Sequence, residues 1–313
     1  MSFPRILFMG TPEFALPSLQ ALLESPYAIA GVITQPDRPK GRGRQLVFPP
    51  VKVLAEAHGL PVWQPEKVRD PAFIRLFQDM VPDLVVVAAF GQILPKEIID
   101  APALGCINVH PSLLPRHRGA APINWTLITG DAITGVTIML MDEGIDSGDI
   151  LLQKETPVDP YETHDMLRDR LAIMGAELLL EAIHQTHDGT ITRTPQDPAR
   201  ASIAPRLTKE TGRIRWEGDA ASIVNLIRGL SSIPGAYTHL EGKVLKIFSA
   251  SYREMPVSEK PGTVIGESAE GLGVAAGDGY VFIKDVQIEN KRRMPVHAFL
   301  KGFRMRPNLV LTP

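Results

Sequence analysis

The sequence predicts an α/β protein, with a Rossmann-like, mostly parallel sheet in an N-terminal domain and a small C-terminal OB-type β-barrel. Short apolar runs alternate with helix-like segments through about the first 190 residues. Several of these runs are almost continuous Val, Ile and Leu, which is typical of strands buried on both faces. Beyond residue 206 the pattern changes to short strands separated by Gly-containing turns.

The N-terminal elements follow one another in regular alternation. The predicted strands are residues 5–9, 29–33, 61–63, 83–89, 106–110 and 135–140. The predicted helices are residues 12–23, 51–58, 71–80, 120–128 and 163–187. Gly59 follows one helix as a usual C-terminal stop.

Residues 190–206 contain three prolines and little periodicity, which predicts an interdomain linker. The domains are therefore predicted as residues 1–189, the Rossmann-like domain, and residues 207–313, the small β domain. In the second domain a helix is predicted near 220–228. Five strands are predicted at residues 236–240, 243–248, 262–265, 272–275 and 280–283.

The composition is that of an ordinary soluble protein of about two domains. A membrane or secreted protein is disfavoured, since no apolar run approaches the roughly 20 residues of a membrane span and no export signal opens the chain. The single Cys106 permits no internal disulfide and no cysteine-based zinc site. We therefore expect a cytoplasmic protein without a membrane partner. We also expect it to be a monomer.

The net charge of −2 conceals an uneven distribution. Residues 1–205 carry 17 basic and 24 acidic side chains, a net of −7, whereas residues 206–313 carry 16 and 11, a net of +5. One basic run lies inside the acidic half and comprises Arg38, Lys40, Arg42 and Arg44. This pattern favours phosphate backbones as partners. For the basic run, a solvated charged loop is the alternative.

Polar residues at strand ends form the candidate active site, because the ligand crevice of an open parallel sheet lies beyond the carboxyl ends of its strands. Asn108 and His110 project from the same face of their strand. Asp146 follows the next strand in a turn rich in glycine and carboxylates. An amide, an imidazole and a carboxylate together suit attack by a neutral nucleophile on a carbonyl. The alternative is a strand-end histidine with a structural role.

Several absences narrow the chemistry. Neither a G-x-G-x-x-G after the first strand nor a Walker lysine motif is present, so no nucleotide cofactor is expected. His184, His187 and Asp188 favour a polar helix end over a metal site, and Cys106 favours burial as a small hydrophobe. With neither metal nor nucleotide expected, a transferred group must arrive already activated on a carrier.

Two long motifs carry a resemblance to a known family. Residues 108–122 read NVHPSLLPRHRGAAP and residues 134–149 read TGVTIMLMDEGIDSGD. With GTPEF at 10–14 and TQPDRPKGRGR at 34–44, the chain resembles the folate-dependent formyltransferases, and among them the bacterial type that formylates methionyl-tRNA. The resemblance covers essentially the whole chain and is most specific in the first 150 residues.

The resemblance implies transfer of a formyl group from 10-formyltetrahydrofolate to the α-amine of methionyl initiator tRNA. It places the catalytic trio on Asn108, His110 and Asp146, and the tRNA-probing loop on residues 34–49, with Arg42 near the first base pair. The folate-binding residues that it implies are Ser112, Leu113, Leu114, Pro115, Gln92 and Ile93, with residues 140–144 also lining the pterin pocket.

Three other functions stay open. A formyltransferase for a sugar-nucleotide or other small amine would share the trio but would not need the basic loop or the basic C-terminal half. A formyl-folate hydrolase would use water as the nucleophile on the same site. A tRNA-binding module with a decayed catalytic domain would not need the trio.

Overall fold

The computed structural model of the chain describes residues 3–40, 45–303, 306 and 309–313. The strands in chain order are β1 Arg5–Gly10, β2 Ala28–Ile33, β3 Arg38–Lys40, β4 Gln45–Val47, β5 Val62–Trp63, β6 Leu84–Ala88, β7 Cys106–His110, β8 Arg118–Gly119, β9 Ile133–Leu140, β10 Ile150–Pro157, β11 Ile203–Ala204, β12 Ala236–Leu240, β13 Lys243–Glu254, β14 Val264–Ser268, β15 Gly271–Ala275, β16 Gly279–Ile288 and β17 Met294–Pro295. The helices are α1 Leu16–Leu23, α2 Pro50–Ala57, α3 Pro71–Met80, α4 Lys96–Ile99, α5 Pro122–Ile128, α6 His164–His187, α7 Ala220–Gly229 and α8 Val296–Gly302.

The chain divides into two compact units that are each discontinuous in sequence. Unit 1 comprises Met1–Gly119, Ile133–Pro157 and Arg168–Ile203. Unit 2 comprises Ala120–Ala132, Val158–Leu167 and Ala204–Pro313. Residues 190–203, predicted as part of a linker, therefore group with unit 1. The sequence-based domain boundaries stay a prediction.

Unit 1 is built on a seven-stranded sheet in the order β10-β9-β7-β6-β1-β2-β5. Five neighbouring strands, β5, β2, β1, β6 and β7, are parallel. Strand β9 runs antiparallel to β7, and β10 runs antiparallel to β9. The predicted Rossmann-like class is confirmed. The central strand β6 is buried along its whole length, as its apolar run predicts.

Strand β10 is the element of this sheet that the sequence prediction missed. It lies at the sheet edge, and its Gln153, Lys154 and Glu155 are exposed. An edge strand with a solvated face lacks the continuous apolar run by which the other strands were recognised.

Helix α6 packs closely on the face of the sheet opposite Asn108 and His110. A Cβ added to Gly175 of this helix would lie 2.7 Å from the Cγ1 atom of Val109 in β7. Val109 and Ile107 are buried, and the alternation of a strand directs Asn108 and His110 to the other face. The helix therefore secures the strand that carries the candidate catalytic residues.

Unit 2 contains an antiparallel sheet in the order β12-β13-β16-β15-β14, with β17 paired to β16. The small C-terminal domain predicted as an OB-type β-barrel is confirmed as a separate β domain, and its sheet is antiparallel. At the C-terminus Thr312 pairs with His239 of β12, and Val310 pairs with Thr263 beside β14, so the last residues bridge the two edges of the sheet. The core includes the fully buried Trp216, whose indole N–H donates to the Thr238 hydroxyl at 3.0 Å.

None of the helices in these described ranges is both long and apolar enough to span a membrane.

Candidate active site

Strand β7 presents Asn108 and His110 at its carboxyl end. His110 is buried, with 3% of its surface exposed, and Asn108 is half-buried. In the register of the sheet they stand opposite Met139 and Thr137 of β9. The apolar β7 sequence and its two paired neighbours therefore fix both polar side chains on one face.

Asp146 lies in the turn between β9 and β10 and meets both residues. Its Oδ1 accepts a long hydrogen bond of 3.4 Å from the Asn108 amide. Its Oδ2 accepts a bond of 2.8 Å from the backbone N–H of Gly119 and lies 3.7 Å from Nδ1 of His110. The structure thus brings together the three residues that the sequence predicts as a constellation.

The orientation of the His110 ring follows from its second partner. Its Nε2 lies 3.0 Å from the carbonyl oxygen of His117. A carbonyl oxygen can only accept, so Nε2 carries a proton. A neutral His110 ring then presents an unprotonated Nδ1 toward Asp146, and a protonated ring presents an N–H.

Burial lowers the pKa of His110, because a charged ring is poorly solvated in this position. The Asp146 carboxylate and the hydrogen bond to the His117 carbonyl oppose this effect by favouring the charged ring, but the net direction remains downward. The resting imidazole is therefore favoured in its neutral form near pH 7, with Nδ1 able to accept a proton.

The loop after β7 is held by hydrogen bonds to the sheet. The Thr137 hydroxyl donates to the Ser112 carbonyl at 2.6 Å and accepts from the Leu114 N–H at 3.1 Å. Gln153 adds a bond from its amide to the Leu114 carbonyl at 2.9 Å. The Ser112 hydroxyl donates to the carbonyl of Arg116 at 2.7 Å.

These contacts divide the four predicted folate-binding residues of this loop into two pairs. Ser112 and Leu114 are buried, and Leu113 and Pro115 are half-buried. The buried pair shapes the loop, and the half-buried pair retains surface for a ligand.

The other two predicted folate-binding residues lie after β6. Both polar ends of Gln92 bond to the segment 65–68, where Oε1 accepts from the Val68 N–H at 3.0 Å and Nε2 lies 3.4 Å from the carbonyls of Pro65 and Glu66. The partners of Gln92 in these bonds are therefore not residues of the catalytic trio. Ile93 is 66% exposed and offers an apolar surface.

The predicted basic loop contains a short hairpin, since β3 and β4 pair as antiparallel strands. Arg42 and Arg44 lie outside the described residues, and Lys40 is described only as part of strand β3. The exposed Arg38 pairs with Glu66 at 3.1 Å. The base of the hairpin is tied by Asp37, whose pKa is lowered by hydrogen bonds from Gln64 and Lys52.

The hairpin also exposes apolar side chains that the sequence reasoning missed. Leu46, Val47 and Phe48 are 43–56% exposed, and the Lys52 ammonium lies 4.7 Å from the centre of the Phe48 ring. The LVF triplet after the basic run was the available signal. The described part of this segment therefore presents apolar side chains together with the exposed Arg38.

The two groups set aside as catalytic or metal-binding candidates have structural partners. The Cys106 thiol is fully buried and lies 3.5 Å from the Ile98 carbonyl, and burial raises its pKa to about 12. His184 and His187 both contact Asp188. In the part of the chain that the structure describes, no group of three or more His, Cys, Asp or Glu side chains could hold a metal ion.

The sequence reasoning also missed two backbone groups of the site, the Gly119 N–H and the His117 carbonyl. Both lie in the RHRGA segment that follows the SLLP loop. The RHRGA motif was the available sequence signal for these two groups. A backbone N–H or carbonyl is present in almost every residue, so its contribution to a site cannot be recognised from residue type.

Two models of known protein families match this chain. A family model described as formyl transferase matches residues 4–183, and one described as formyl transferase, C-terminal domain, matches residues 206–304. The chain belongs to the formyl transferase family. The family resemblance read from the sequence motifs is thereby confirmed.

Similar members of the family match over nearly their whole length. A methionyl-tRNA formyltransferase of Syntrophus aciditrophicus (strain SB) is 58% identical over 306 residues, covering 98% of each chain. One of Geotalea daltonii is 52% identical over 301 residues, covering 96% of each. Among solved structures, HypX from Aquifex aeolicus in complex with tetrahydrofolic acid superposes with a TM-score of 0.66 at 22% identity. The match covers all of this chain and 51% of that one, and shows the fold.

Proposed function

We propose that the protein transfers the formyl group of 10-formyltetrahydrofolate to the α-amino group of methionine on initiator tRNA. The observation that carries the proposal is the convergence of the Asn108 amide, the His110 ring and the Asp146 carboxylate at the end of β7. It is supported by a relative 58% identical over nearly the whole chain that is named for this activity.

In the first step the amine nitrogen forms a bond to the formyl carbon, and the formyl oxygen gains negative charge. Asn108 has two amide protons, and its contact with Asp146 uses one of them. The other is the oxyanion donor in this proposal. A donor of this kind stabilises the transition state by roughly 3–4 kcal/mol.

The amine must lose a proton as it attacks, and we assign its acceptance to Nδ1 of His110. Since Nε2 is committed to the His117 carbonyl, Nδ1 is the nitrogen able to accept. The ring becomes an imidazolium, which Asp146 at 3.7 Å stabilises. As the bond from the formyl carbon to N10 of the folate breaks, N10 must gain a proton, and the imidazolium supplies it.

The folate donor is assigned to the surface formed by the loop 112–115 and the residues after β6. The half-buried Leu113 and Pro115 and the exposed Ile93 offer apolar area to its rings. Ser112, Leu114 and Gln92 hold these segments in place through their hydrogen bonds and burial.

Initiator tRNA is assigned to the basic residues. Arg38, Lys40, Arg42 and Arg44 lie in an otherwise acidic half, and residues 206–313 carry a net charge of +5. Phosphate contacts from such residues give affinity that falls with salt. Translation initiation takes place in the cytoplasm, and we expect the protein to act there as a monomer.

The test is a transfer assay with radiolabelled formyl donor and four acceptors: methionyl initiator tRNA, free methionine, an amino-sugar nucleotide, and water alone. We expect label on the tRNA-linked methionine at a rate far above those of the other acceptors. Preferred transfer to the sugar nucleotide would instead establish the small-amine alternative, and folate hydrolysis without transfer would establish the hydrolase. Folate binding without any turnover would favour the tRNA-binding module.

A further inference from the structure

One side chain links the segment 190–203 to the loop that carries Asp146. From residue 192 to residue 200 every residue is exposed except Gln196, which is half-buried. The Gln196 amide donates to the carbonyl oxygen of Asp146 at 2.9 Å and to that of Gly148 at 2.7 Å. A solvated stretch of chain therefore inserts one polar side chain and uses both of its amide protons on this loop.

The orientation of the Gln196 amide is determined by its other partner. Its Oε1 accepts from Nε and Nη2 of Arg118 at 3.0 Å and 2.8 Å. A guanidinium only donates and a carbonyl only accepts, so the amide can satisfy its four contacts in one orientation alone. Two N–H groups of Arg118 thus converge on this one oxygen and hold the amide in that orientation.

Asp146 needs such support because of its backbone conformation. Its φ of +50° lies in the left-handed region, which a side chain disfavours by crowding the following carbonyl. A non-glycine residue persists there when its surroundings hold it. Gln196 holds the carbonyl of Asp146, and the Gly119 N–H holds its carboxylate at 2.8 Å. Since Arg118 and Gly119 are adjacent, one segment fixes both ends of the residue.

We propose that Gln196, oriented by Arg118, is a positioning residue that keeps the Asp146 carboxylate in place against Asn108 and His110 during formyl transfer. This inference rests on the proposed function and adds a residue from outside the motifs that surround the trio. The hydrogen bonds of Gln196 go to Arg118 and to the backbone carbonyls of Asp146 and Gly148. Gln196 acts through the backbone of Asp146.

The first test is the Gln196→Leu variant of the full-length protein, which keeps the approximate size of the side chain and removes all four contacts. A displacement of about 1 Å can reduce a rate on the order of 10²-fold, so we expect a loss of this size in kcat. The KM values for the folate and the tRNA should change little. The matched control is Gln78→Leu on α3, an exposed glutamine that should behave as wild type.

A second measurement does not depend on catalysis. The ionisable groups facing His110 are the Asp146 carboxylate, which raises the pKa of His110, and the His117 ring, which lowers it. When Asp146 loses its fixed position, the pKa of His110 should fall further, toward its value in an Asp146→Asn variant. An NMR titration of the His110 ring in Gln196→Leu, Gln78→Leu and wild type records this shift.

Wild-type kcat together with an unchanged His110 titration in Gln196→Leu would overturn the positioning role. If wild-type protein transfers no formyl to methionyl-tRNA, the proposed function fails, and the titration alone still decides whether Gln196 positions Asp146. If Gln196→Leu does not fold, Gln196→Glu and Arg118→Lys are measured in the same way. Wild-type values of both readouts in these two variants would equally overturn the proposal.

Discussion

The strand end that carries Asn108 and His110 and the hairpin that carries Arg38 differ in how their polar groups are held. His110 is 3% exposed and bonds to a backbone carbonyl. The Arg38 side chain is 63% exposed, and its partner Glu66 is exposed as well. An exposed ion pair of this kind contributes only about 0–1 kcal/mol. The first region is fixed before a substrate arrives, whereas Arg38 can exchange its partner for a phosphate at little cost.

This difference follows from what each region does in the proposed function. Acid–base and oxyanion groups must meet the reacting atoms within a fraction of an ångström. Attraction between a cation and a polyanion still acts over about 8 Å at physiological salt, so it tolerates a less exact position. Substitutions in the first region should therefore reduce turnover, and substitutions in the second should reduce the use of tRNA.

The largest effect is expected from Asn108→Ala. It removes the proposed oxyanion donor, so kcat should fall by about 10²- to 10³-fold, while the fold is retained. Single-turnover formyl transfer measures the change, with circular dichroism as a check on folding. A wild-type rate would remove Asn108 from the trio.

A smaller and different effect is expected from Arg42→Ala in the basic run. Use of methionyl-tRNA should fall sharply, and the slope of log affinity against log salt should decrease by about one unit. Folate binding should be unchanged, because the loss concerns a phosphate contact. Arg75→Ala, an exposed arginine on α3, is the matched control. Equal losses in folate binding and tRNA use would contradict the division between the two regions.

The smallest effect concerns stability and the burial of His110. Its pKa in the folded protein lies below the ordinary 6.5, so between these two values the unfolded chain binds more protons. The contribution of His110 to the free energy of unfolding is thus at its full value above pH 6.5 and is lost as the pH falls through this window. For this one group, the free energy of unfolding changes by at most about 1.4 kcal/mol per pH unit.

Cys106 provides a local measurement of this effect, because its thiol is fully buried in the strand that carries His110. Labelling of Cys106 during urea unfolding, repeated at pH values from about 5 to about 7, gives the slope of the free energy of unfolding against pH. The slope should be smaller in His110→Gln than in wild type. Equal slopes would show that His110 titrates as freely in the folded protein as in the unfolded chain.

Much of unit 1 could be predicted from local pattern. The predicted β7, 106–110, has the bounds seen in the structure, and the helix 71–80 likewise. These elements have strong periodic or continuous apolar patterns, which depend on neighbouring residues alone. Strand β10 and the pairing within the basic run could not be found in this way, since an edge strand and a short exposed hairpin carry no such pattern.

The site was predictable as a set of residue types, but its internal contacts were not. Asn108 and His110 follow from strand alternation, and Asp146 from its place after the next strand. The segment 190–206 was predicted as a linker from its prolines, yet its Gln196 donates hydrogen bonds to the loop that carries Asp146. Proline content describes local backbone preference and does not indicate that one side chain is inserted elsewhere.

The sequence by itself determined the fold class, the family and the chemical groups at the end of β7, because apolar periodicity and motifs depend on residues close together in the chain. Only the tertiary structure decided which nitrogen of His110 carries a proton, which groups contact Asp146 in its left-handed conformation, and which groups Gln196 contacts. The contact that orients His110 joins residues 7 positions apart, and the contacts around Asp146 and Gln196 join residues 27 to 78 positions apart, from Gly119 with Asp146 to Arg118 with Gln196. Such partners are selected by proximity in the folded chain, which local sequence does not encode.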